Sequence, residues 1–341
     1  MWKVLVLPRQ EGAGLPNLSE RRELMFKRGT TVRTPLLVPS FSSRIRDIEK
    51  IFRASEEIID GPFLISAYDV KNKKINPPFD FSGPVFLDSG GYEVSRDSDL
   101  SDVGDENSNP EDWPESDYNS VVSAWTVEFP TVFISYDHPK IRLPIPEQID
   151  RAKKFVMPDG DSMREILLKP EKGQKFLPIE NIEEHVRDLA GFGAIGVTEK
   201  EVGNSIFQRM LNIATLRRAL ARVGIDVPLH VFGSLDTVTT LFYFVAGADV
   251  FDGLTWLRYA FKDGRTYYRQ DFGTVELGID TKAPKIEALC WSRNYQYMKE
   301  LQRGMRRFLD NRDFGEFGDH GDRIRAALQN VHEELKGKMG G

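Results

Sequence analysis

The chain has 341 residues, of which 40% are hydrophobic and 11% aromatic, and this composition excludes a disordered or collagen-like protein. Its 46 basic and 52 acidic residues give a net charge of −6, which at first disfavours a polyanionic partner. However, nine acids and no base lie between residues 97 and 117, so the rest of the chain, with 43 acids, carries +3. The total charge therefore does not exclude nucleic acid as a partner.

Three further features of the composition bear on the class of protein. The acidic segment 97–117 is rich in Ser, Asn, Gly and Pro, which predicts a long solvated loop. The single cysteine, Cys290, excludes an internal disulfide framework and favours a reducing, cytoplasmic compartment. No apolar run approaches the ~20 residues that a membrane helix needs, so we expect no membrane partner.

Short apolar runs along the chain predict eight strands. In chain order they cover residues 36–41, 63–67, 85–87, 131–136, 165–168, 194–197, 229–232 and 249–251. Amphipathic stretches lie between most of them. One follows Ser42 and Ser43, which are candidate N-caps; a second runs from Ile206 to Leu220; a third opens at Ser234 or Asp236. Only the link 69–84 is too rich in proline for a helix.

Alternation of strands and helices predicts a parallel sheet with right-handed crossovers. Eight strands in this length favour an α/β fold, a (β/α)8 TIM barrel with insertions. A doubly wound open sheet is the alternative, but no Gly-x-Gly-x-x-Gly follows the first strand. We divide the chain into an N-terminal segment (1–33), a barrel (34–280) containing the acidic loop, and a C-terminal helical extension (281–341).

Three carboxylates follow three of the predicted strands. The third strand runs into Asp88-Ser-Gly-Gly-Tyr92, the fourth into Asp137, and the eighth into Asp252-Gly253. In a barrel of this kind these strand ends meet at one rim. Converging acids can act as nucleophile, general acid or base, hydrogen-bond acceptors for a base edge, or ligands of a hard metal. A single Asp at a strand end is more often a turn former, and a TIM-barrel glycosidase would also fit the set.

The same residues carry a resemblance to a known family. Asp88-Ser-Gly-Gly-Tyr-Glu93 is similar to the Asp-Ser-Gly-Gly-Phe/Tyr-Gln signature of the tRNA-guanine transglycosylases. The Val-Phe-Asp that ends at Asp252, with Arg258 downstream, resembles that family's Asp-Met-Phe-Asp…Thr-Arg block. Ser292-Arg-Asn-Tyr295 resembles the end of its zinc motif. Order and spacing hold from about residue 34 to residue 297, and the family fold is a TIM barrel.

The resemblance implies an enzyme, a pentosyltransferase that exchanges guanine for another base. Asp252 would be the nucleophile that attacks C1′, and Asp88 would move the proton as guanine leaves. The base would be bound by Ser89, Tyr92, Asp137, Glu171, Gly196 and Gly233, with Glu171 near the position of the family's pocket Gln. Arg258 would contact the nucleic-acid backbone, and the target nucleotide would have to leave its stack.

The sequence departs from the family at its structural zinc. The positions of the family's three cysteines hold Glu287, Leu289 and Ser292, so we expect no metal and no other cofactor, although Cys290, His320 and His332 lie nearby or downstream. The lost zinc weakens the region with which tRNA-type members hold their substrate. The sequence therefore favours the branch that introduces a 7-deazaguanine such as preQ0 into DNA, narrowly over tRNA.

The remaining expectations concern partners. Lys299, Arg303 and Arg307 are spaced by four residues on a predicted helix, which favours either phosphate contact or an ordinary solvated face. DNA or tRNA, a 7-deazaguanine base, accessory proteins and a second copy of the chain stay open as partners. A non-catalytic accessory subunit of a heteromeric transglycosylase is a further alternative, but the presence of both Asp88 and Asp252 argues against it.

Overall fold

The structure is a computed structural model that describes residues 17–95, 100–101, 112–126 and 128–337. Its centre is a parallel sheet of eight strands in the order β3-β10-β9-β8-β7-β6-β5-β4. These strands are β3 (Leu36–Pro39), β4 (Phe63–Ser66), β5 (Val85–Asp88), β6 (Thr131–Ile134), β7 (Ser162–Leu168), β8 (Ala194–Thr198), β9 (Leu229–Phe232) and β10 (Val250–Gly253). A parallel bridge between Ser40 and Leu64 brings the two edge strands together. The predicted α/β TIM-barrel-like fold and all eight strands are thus confirmed.

The strands alternate between the interior of the barrel and the surrounding helices. Val38 and Phe86 point inward and belong to the interior cluster, whereas their neighbours Leu37 and Leu87 pack against the helices. This alternation follows from the period of two along a strand. It also means that Glu165, His230 and Asp252, each two residues from an apolar interior residue, turn their side chains into the barrel.

A hairpin closes the end of the barrel at which the strands begin. It consists of β1 (Glu23–Met25) and β2 (Thr31–Arg33), which pair antiparallel. Leu24 and Phe26 are buried in the interior cluster. Beside them Arg22 donates to Asp226 over 2.6 Å and to Asp249 over 3.2 Å, and Arg217 also pairs with Asp249. The hairpin, which ends the N-terminal segment, therefore forms the floor of the barrel.

Helices cover the outside of the barrel and extend beyond it. They are α1 (Ile48–Ser55), α2 (Ala67–Lys71), α3 (Gly91–Val94), α4 (Glu115–Ser123), α5 (Ile145–Lys154), α6 (Ile179–Glu184), α7 (Ile206–Arg222), α8 (Thr239–Val245), α9 (Thr255–Arg258), α10 (Arg269–Leu277), α11 (Ala283–Asn311) and α12 (Gly321–Gly337). Short 3-10 helices span Val186–Leu189 and Phe314–His320, and a second hairpin pairs β11 (Ala260–Lys262) with β12 (Arg265–Tyr267). The predicted C-terminal helical extension is confirmed. Among the described residues no helix is long and apolar enough to cross a membrane.

Two predicted helix starts differ from the structure. Neither Ser42 nor Ser43 caps α1, which follows Asp47 in a left-handed conformation with φ 56°. The Ser42 hydroxyl instead donates to Glu93 over 2.6 Å, and so it links the segment after β3 to α3 and does not cap α1. Asp236 does accept from the amides of Val238 and Thr239, but α8 begins only at Thr239.

Two predicted loops contain helices. The link after β4 begins with the short helix α2, because Ser66 caps it by accepting from the Tyr68 amide and the prolines come only after it ends. The acidic loop was predicted over 97–117, but its last residues from Glu115 onward begin α4, and Trp113 before them is buried. Residues 96–99 and 102–111 lie outside the described residues.

Candidate active site

A cavity opens at the end of the barrel where the strands finish. It contains about 900 Å³ of space free of protein atoms, open solvent included. Each of the eight strands, or the segment directly after it, contributes residues to the wall, from Ser40 after β3 to Gly253 at the end of β10. Asp88, Asp137 and Asp252 all line it, so the structure brings together the three carboxylates that the sequence singled out. Catalytic groups of barrel enzymes lie at this end.

Asp252 is held at the base of the cavity by hydrogen bonds to both carboxylate oxygens. Its Oδ1 accepts from the Gly233 amide over 3.1 Å and lies 3.2 Å from His230 Nε2. Its Oδ2 accepts from Ser40 Oγ over 2.7 Å. Gly233 can present its amide in this way because its φ of 77° lies in the left-handed region. The side chain is therefore fixed in orientation by donors on both of its oxygens.

Asp88 lies across the same cavity in a different environment. Its Oδ2 accepts from the Gly90 amide over 3.0 Å in the tight turn after β5. That turn requires glycine, since Gly90 has a φ of 93° and a Cβ there would approach Tyr68 Cβ to 2.7 Å. Burial, together with the negative charges of Glu93 and Asp252, raises the pKa of Asp88 to about 7. Asp88 can therefore exchange a proton near neutral pH.

A second pair of acids is buried beside Asp88. Glu93 lines the cavity, and burial and the charge of Asp69 raise its pKa to about 7. Burial likewise raises the pKa of Asp69 to about 6. Among the described residues, Glu93 Oε2 and Asp69 Oδ1 have no hydrogen-bond partner. The pair therefore takes up protons at a higher pH than an exposed pair of acids would.

Asp137 belongs to a network of two acids and two bases on another side of the cavity. Arg142 donates to it over 3.0 Å, and Lys169 Nζ lies 3.4 Å from its other oxygen. The same two cations contact Glu201, at 3.5 Å and 2.6 Å. Burial opposes the charge on Lys169, but Asp137 and Glu201 outweigh it and raise its pKa. This part of the wall offers both donors and acceptors in fixed positions.

Ser89, Tyr92 and Arg258 connect the strand ends. Ser89 lines the cavity, where its hydroxyl accepts from the Asp137 amide over 3.2 Å. The Tyr92 ring also lines the cavity, with the Arg44 guanidinium 4.1 Å from its centroid. Arg258 was predicted to contact a nucleic-acid backbone, but it is only 5% exposed and donates to the Tyr92 hydroxyl over 2.8 Å. Arg258 therefore orients the Tyr92 side chain through this hydrogen bond and does not face solvent.

Two predicted base-binding residues lie outside the cavity. Glu171 accepts from the Ile145 amide over 3.0 Å at the start of α5, and Lys169, two residues earlier, occupies the cavity wall instead. The alternation along β7 explains this shift, because it turns Lys169 inward. Gly196 lies deeper in the barrel, where a Cβ would approach the Phe232 ring to 2.5 Å and Glu165 Oε1 to 2.9 Å. It makes space for those side chains. Gly233 is the predicted glycine that does line the cavity.

The predicted basic stripe lies at the opposite end of the barrel from the cavity. Lys299 pairs with Asp60 over 2.6 Å in the loop that leads into β4, and Gln302 on the same helix donates to the carbonyl of Pro35, before β3. Arg303 is exposed, and Arg307 pairs with Glu316 over 2.5 Å. The spacing correctly gave one face of α11, but the helix runs away from the rim, so this stripe does not face the cavity.

The residues at the family's zinc positions do not suit a zinc ion. Leu289 has no ligand atom, and Glu287 lies 3.7 Å from Arg269. Cys290 is fully buried among apolar residues, and burial raises the pKa of its thiol to about 11. His320 contacts the carbonyl of Gly264 over 2.6 Å. Among the described residues no group of three His, Cys, Asp or Glu side chains could hold a metal ion. The expectation that no metal binds stays a prediction.

Sequence reasoning missed the side chains below and beside the three carboxylates. Glu165 and His230 are fully buried in β7 and β9, and together with Asp252 they form a chain of contacts in the barrel interior. Lys169 and Arg142 were also missed. A signal was present, since a charged or imidazole side chain at an inward position of a buried strand needs a partner. Period-two alternation along β7 and β9 could have pointed to Glu165 and His230.

Comparison with protein-family models finds no match to this chain, and comparison with curated proteins finds none. The fold and the cavity define an α/β barrel with a group of carboxylates at the carboxyl ends of its strands. Any narrower description of the protein depends on the chemistry of that group.

Proposed function

We propose that the protein is a nucleic-acid guanine transglycosylase, which exchanges guanine for a 7-deazaguanine base through a covalent glycosyl-aspartate intermediate. The observation that carries this proposal is the pairing of Asp252 with Asp88 in one cavity. Asp252 has hydrogen-bond donors on both oxygens, whereas the pKa of Asp88 is raised to about 7 by burial and neighbouring charge. Two carboxyls with such different environments suit a nucleophile and a proton-transfer group.

The reaction proceeds in two halves. In the first, Asp252 attacks C1′, the bond to N9 of guanine breaks, and the departing base takes its electron pair and a proton from Asp88. In the second, the incoming base gives its N9 proton to Asp88 and attacks C1′, and the Asp252 carboxylate leaves. Atoms, charge and protons balance, and Asp88 ends as it began.

The wall near Asp137 suits the polar edge of guanine. In this proposal the Asp137 carboxylate accepts from the amino group and N1–H of the base, while Lys169 donates to its 6-oxo oxygen. Tyr92 provides a ring on which the base can stack. This wall also favours base exchange over sugar hydrolysis, because a TIM-barrel glycosidase needs two carboxylates but has no need of a paired donor and acceptor set for a purine.

DNA is the substrate that we favour, with tRNA as the second candidate. The preference rests on the departures at Glu287, Leu289 and Ser292, where tRNA-type enzymes hold zinc beside their tRNA-binding region. Because Lys299, Arg303 and Arg307 do not face the cavity, they do not support phosphate contact at α11. This applies to DNA and tRNA alike and does not distinguish between them. Lys71, the last residue of α2, pairs with Asp117 over 3.5 Å. Lys73 and Lys74 follow it and provide positive charge on the same rim as the cavity.

The test supplies radiolabelled guanine or preQ0 together with duplex DNA, single-stranded DNA or tRNA. We expect label in DNA with the wild-type protein and none with Asp252→Asn. Asp150→Asn, which makes the same change on the outer face of α5, serves as the matched control. Label in tRNA alone would move the substrate to the second candidate. No label in any polymer would refute the proposal and favour a non-catalytic accessory subunit. Equal label with Asp252→Asn would refute the role of Asp252 as the nucleophile.

A further inference from the structure

His230 lies between two carboxylates in the middle of the barrel. Its Nδ1 is 2.8 Å from Glu165 Oε1, and its Nε2 is 3.2 Å from Asp252 Oδ1. An ionised carboxylate can only accept a hydrogen bond, so contact with two of them requires a proton on each ring nitrogen. Burial disfavours that charge, but Glu165 and Asp252 outweigh it and raise the pKa of His230 to about 9.

The ring is held in one orientation by its neighbours. It stacks on Phe232 with ring centroids 3.8 Å apart and meets Phe86 edge-on at 5.6 Å. On the β8 side, Gly196 leaves only enough space for Phe232 and Glu165. The charged groups that face the ring are Glu165 from β7 and Asp252 from β10, while β5 and β8 contribute Phe86 and Gly196. Rotation of the ring would break both contacts with the carboxylates.

This arrangement makes the two oxygens of Asp252 unequal. Oδ1 faces a charged donor, His230 Nε2, and also the Gly233 amide. Among the described residues, Oδ2 has one donor, the neutral Ser40 hydroxyl, which in turn accepts from the Gly253 amide over 3.0 Å. Oδ1 therefore has two donors where Oδ2 has one, and one of the two is charged, so Oδ2 keeps more of its lone-pair capacity for bond formation.

We propose that His230 is a positioning residue that, held by Glu165, fixes Oδ1 of Asp252, leaves Oδ2 as the attacking atom, and stabilises the Asp252 carboxylate when it leaves. This inference rests on the proposed function. In the covalent intermediate Asp252 is an uncharged ester through Oδ2, and Oδ1 is its carbonyl oxygen. When the incoming base attacks C1′, the electron pair of the breaking bond returns to Asp252 beside the imidazolium. The contact with His230 is therefore stronger after release than before it.

The consequence is that the two halves of the reaction respond differently to loss of the cation. When the intermediate is released, the Asp252 carboxylate regains its negative charge, so this step depends directly on the positive charge of His230. When the intermediate forms, Asp252 loses its negative charge, so this step depends on His230 mainly because the ring orients Asp252. Glu165→Gln leaves the imidazole in place but removes the carboxylate that keeps it charged. The double variant Glu165→Gln/His230→Gln replaces both charges by amides, so it leaves neither Glu165 nor His230 as an unpaired buried charge.

The experiment measures the two halves separately by rapid quench. Labelled DNA is first mixed with enzyme to accumulate the intermediate, which is then chased with excess guanine. In the double variant we expect release to slow by about 100-fold, as on loss of one oxyanion donor, and the trapped fraction at steady state to rise above that of wild type. In Glu165→Gln we expect release to fall as the pH rises from 6 to 8, because the imidazole now loses its proton there, whereas wild-type release does not show this fall.

His185→Gln, at the half-buried residue that follows α6, is the matched control and should release at the wild-type rate. Thermal unfolding of each variant shows whether it is folded, and Glu165→Gln alone suffices if the double variant is not. Wild-type release kinetics in both folded variants would overturn the role of His230. Absence of any intermediate in the wild-type protein would instead refute the proposed function, so the two failures are distinguishable.

Discussion

At the scale of single residues, the proton transfer proposed for Asp88 is the step of the proposed reaction that is easiest to test. Its raised pKa of about 7 means that it is protonated below neutral pH and ionised above. Departure of guanine needs the protonated form, so formation of the intermediate should slow as the pH rises through about 7. Glu93 occupies the position where the family signature has Gln, and its charge contributes to that raised pKa.

The first prediction concerns this titration. Asp88→Asn should slow formation of the intermediate by about 10²- to 10⁴-fold and abolish its dependence on pH between 6 and 8. Glu93→Gln should keep the dependence but shift its midpoint downward, because a neighbouring negative charge is removed. Single-turnover rates across this pH range test both statements. A flat profile for the wild-type protein would contradict the role of Asp88.

The second prediction concerns Lys169 and the choice of base. Lys169→Met keeps much of the side-chain length but removes the ammonium that would donate to the 6-oxo group. In a competition between guanine and 2-aminopurine, which lacks that group, the preference of the variant for guanine should fall by about ten- to hundredfold, equivalent to about 1–3 kcal/mol. Lys172→Met, in the exposed loop beyond β7, is the control. Unchanged preference in Lys169→Met would remove Lys169 from base recognition.

At the scale of elements, the strands and the N-terminal hairpin place these residues. The hairpin of β1 and β2 closes the floor of the barrel, with Leu24 fully buried and Met25 beside it 67% exposed. The pair of neighbours offers a matched test of whether the hairpin belongs to the barrel core. It also matters for the site, because the interior cluster that includes Leu24 continues toward Phe86 and Phe232.

The third prediction follows from that difference in burial. Leu24→Ala should lower the free energy of unfolding by about 2–5 kcal/mol, because it leaves a cavity inside the barrel. Met25→Ala should change it by less than about 0.5 kcal/mol. Urea unfolding followed by circular dichroism measures both values. Equal effects of the two substitutions would show that the hairpin contributes little to the core.

The fourth prediction concerns the acidic segment, which begins two residues after Ser95 of the cavity wall in the sequence. Amide replacement of Asp102, Asp105, Glu106 and Glu111 should tighten DNA binding by about tenfold at low salt, mainly through faster association. The control neutralises Asp319, Asp322, Glu333 and Glu334 on the C-terminal helical extension, where we expect a smaller effect. If both sets of substitutions tightened DNA binding equally, the acidic segment would influence binding only through the net charge of the protein. The four positions in the acidic segment lie outside the described residues, and this prediction rests on their place in the sequence.

Element by element, the sequence predicts the barrel strands and the C-terminal helical extension, but not the helix caps or the second hairpin. The eight strands could be predicted because each is a short apolar run bounded by turn residues. The start of α1 could not be predicted, because the Ser42 hydroxyl donates to Glu93, a residue far away in the chain, and does not cap the helix. The hairpin of β11 and β12 was missed, since three-residue strands carry too little pattern.

At the scale of the whole molecule, the order of the strands could be used to predict which acids meet, but not what surrounds them. Asp88, Asp137 and Asp252 come together because parallel strands end at one rim. The sequence predicts an exposed Arg258 in contact with nucleic acid, because nothing in the sequence indicates that this side chain is buried and bonded to Tyr92. The stripe of Lys299, Arg303 and Arg307 was misplaced because helical spacing fixes a face but not the direction in which a helix leaves the barrel.

The charge of the molecule is also organised by the fold. The acids outside the acidic segment include several that are buried with partners, such as Asp249 between Arg22 and Arg217 at the floor. At the rim, Arg142 and Lys169 neutralise Asp137 and Glu201. A net charge of −6 therefore says little about how the rim would meet a polyanion, and binding must be measured as a function of salt.

The most direct test of the central claim is the mass of the protein after incubation with a short guanine-containing DNA and a denaturing quench. We predict an adduct equal to the oligonucleotide minus guanine, which peptide mapping assigns to the peptide containing Asp252 and which guanine in excess reverses. Asp252→Asn should give no adduct, and Asp150→Asn should give the wild-type amount. An adduct on another residue, or none with DNA or tRNA, would contradict the assignment of Asp252 as the nucleophile of a base exchange.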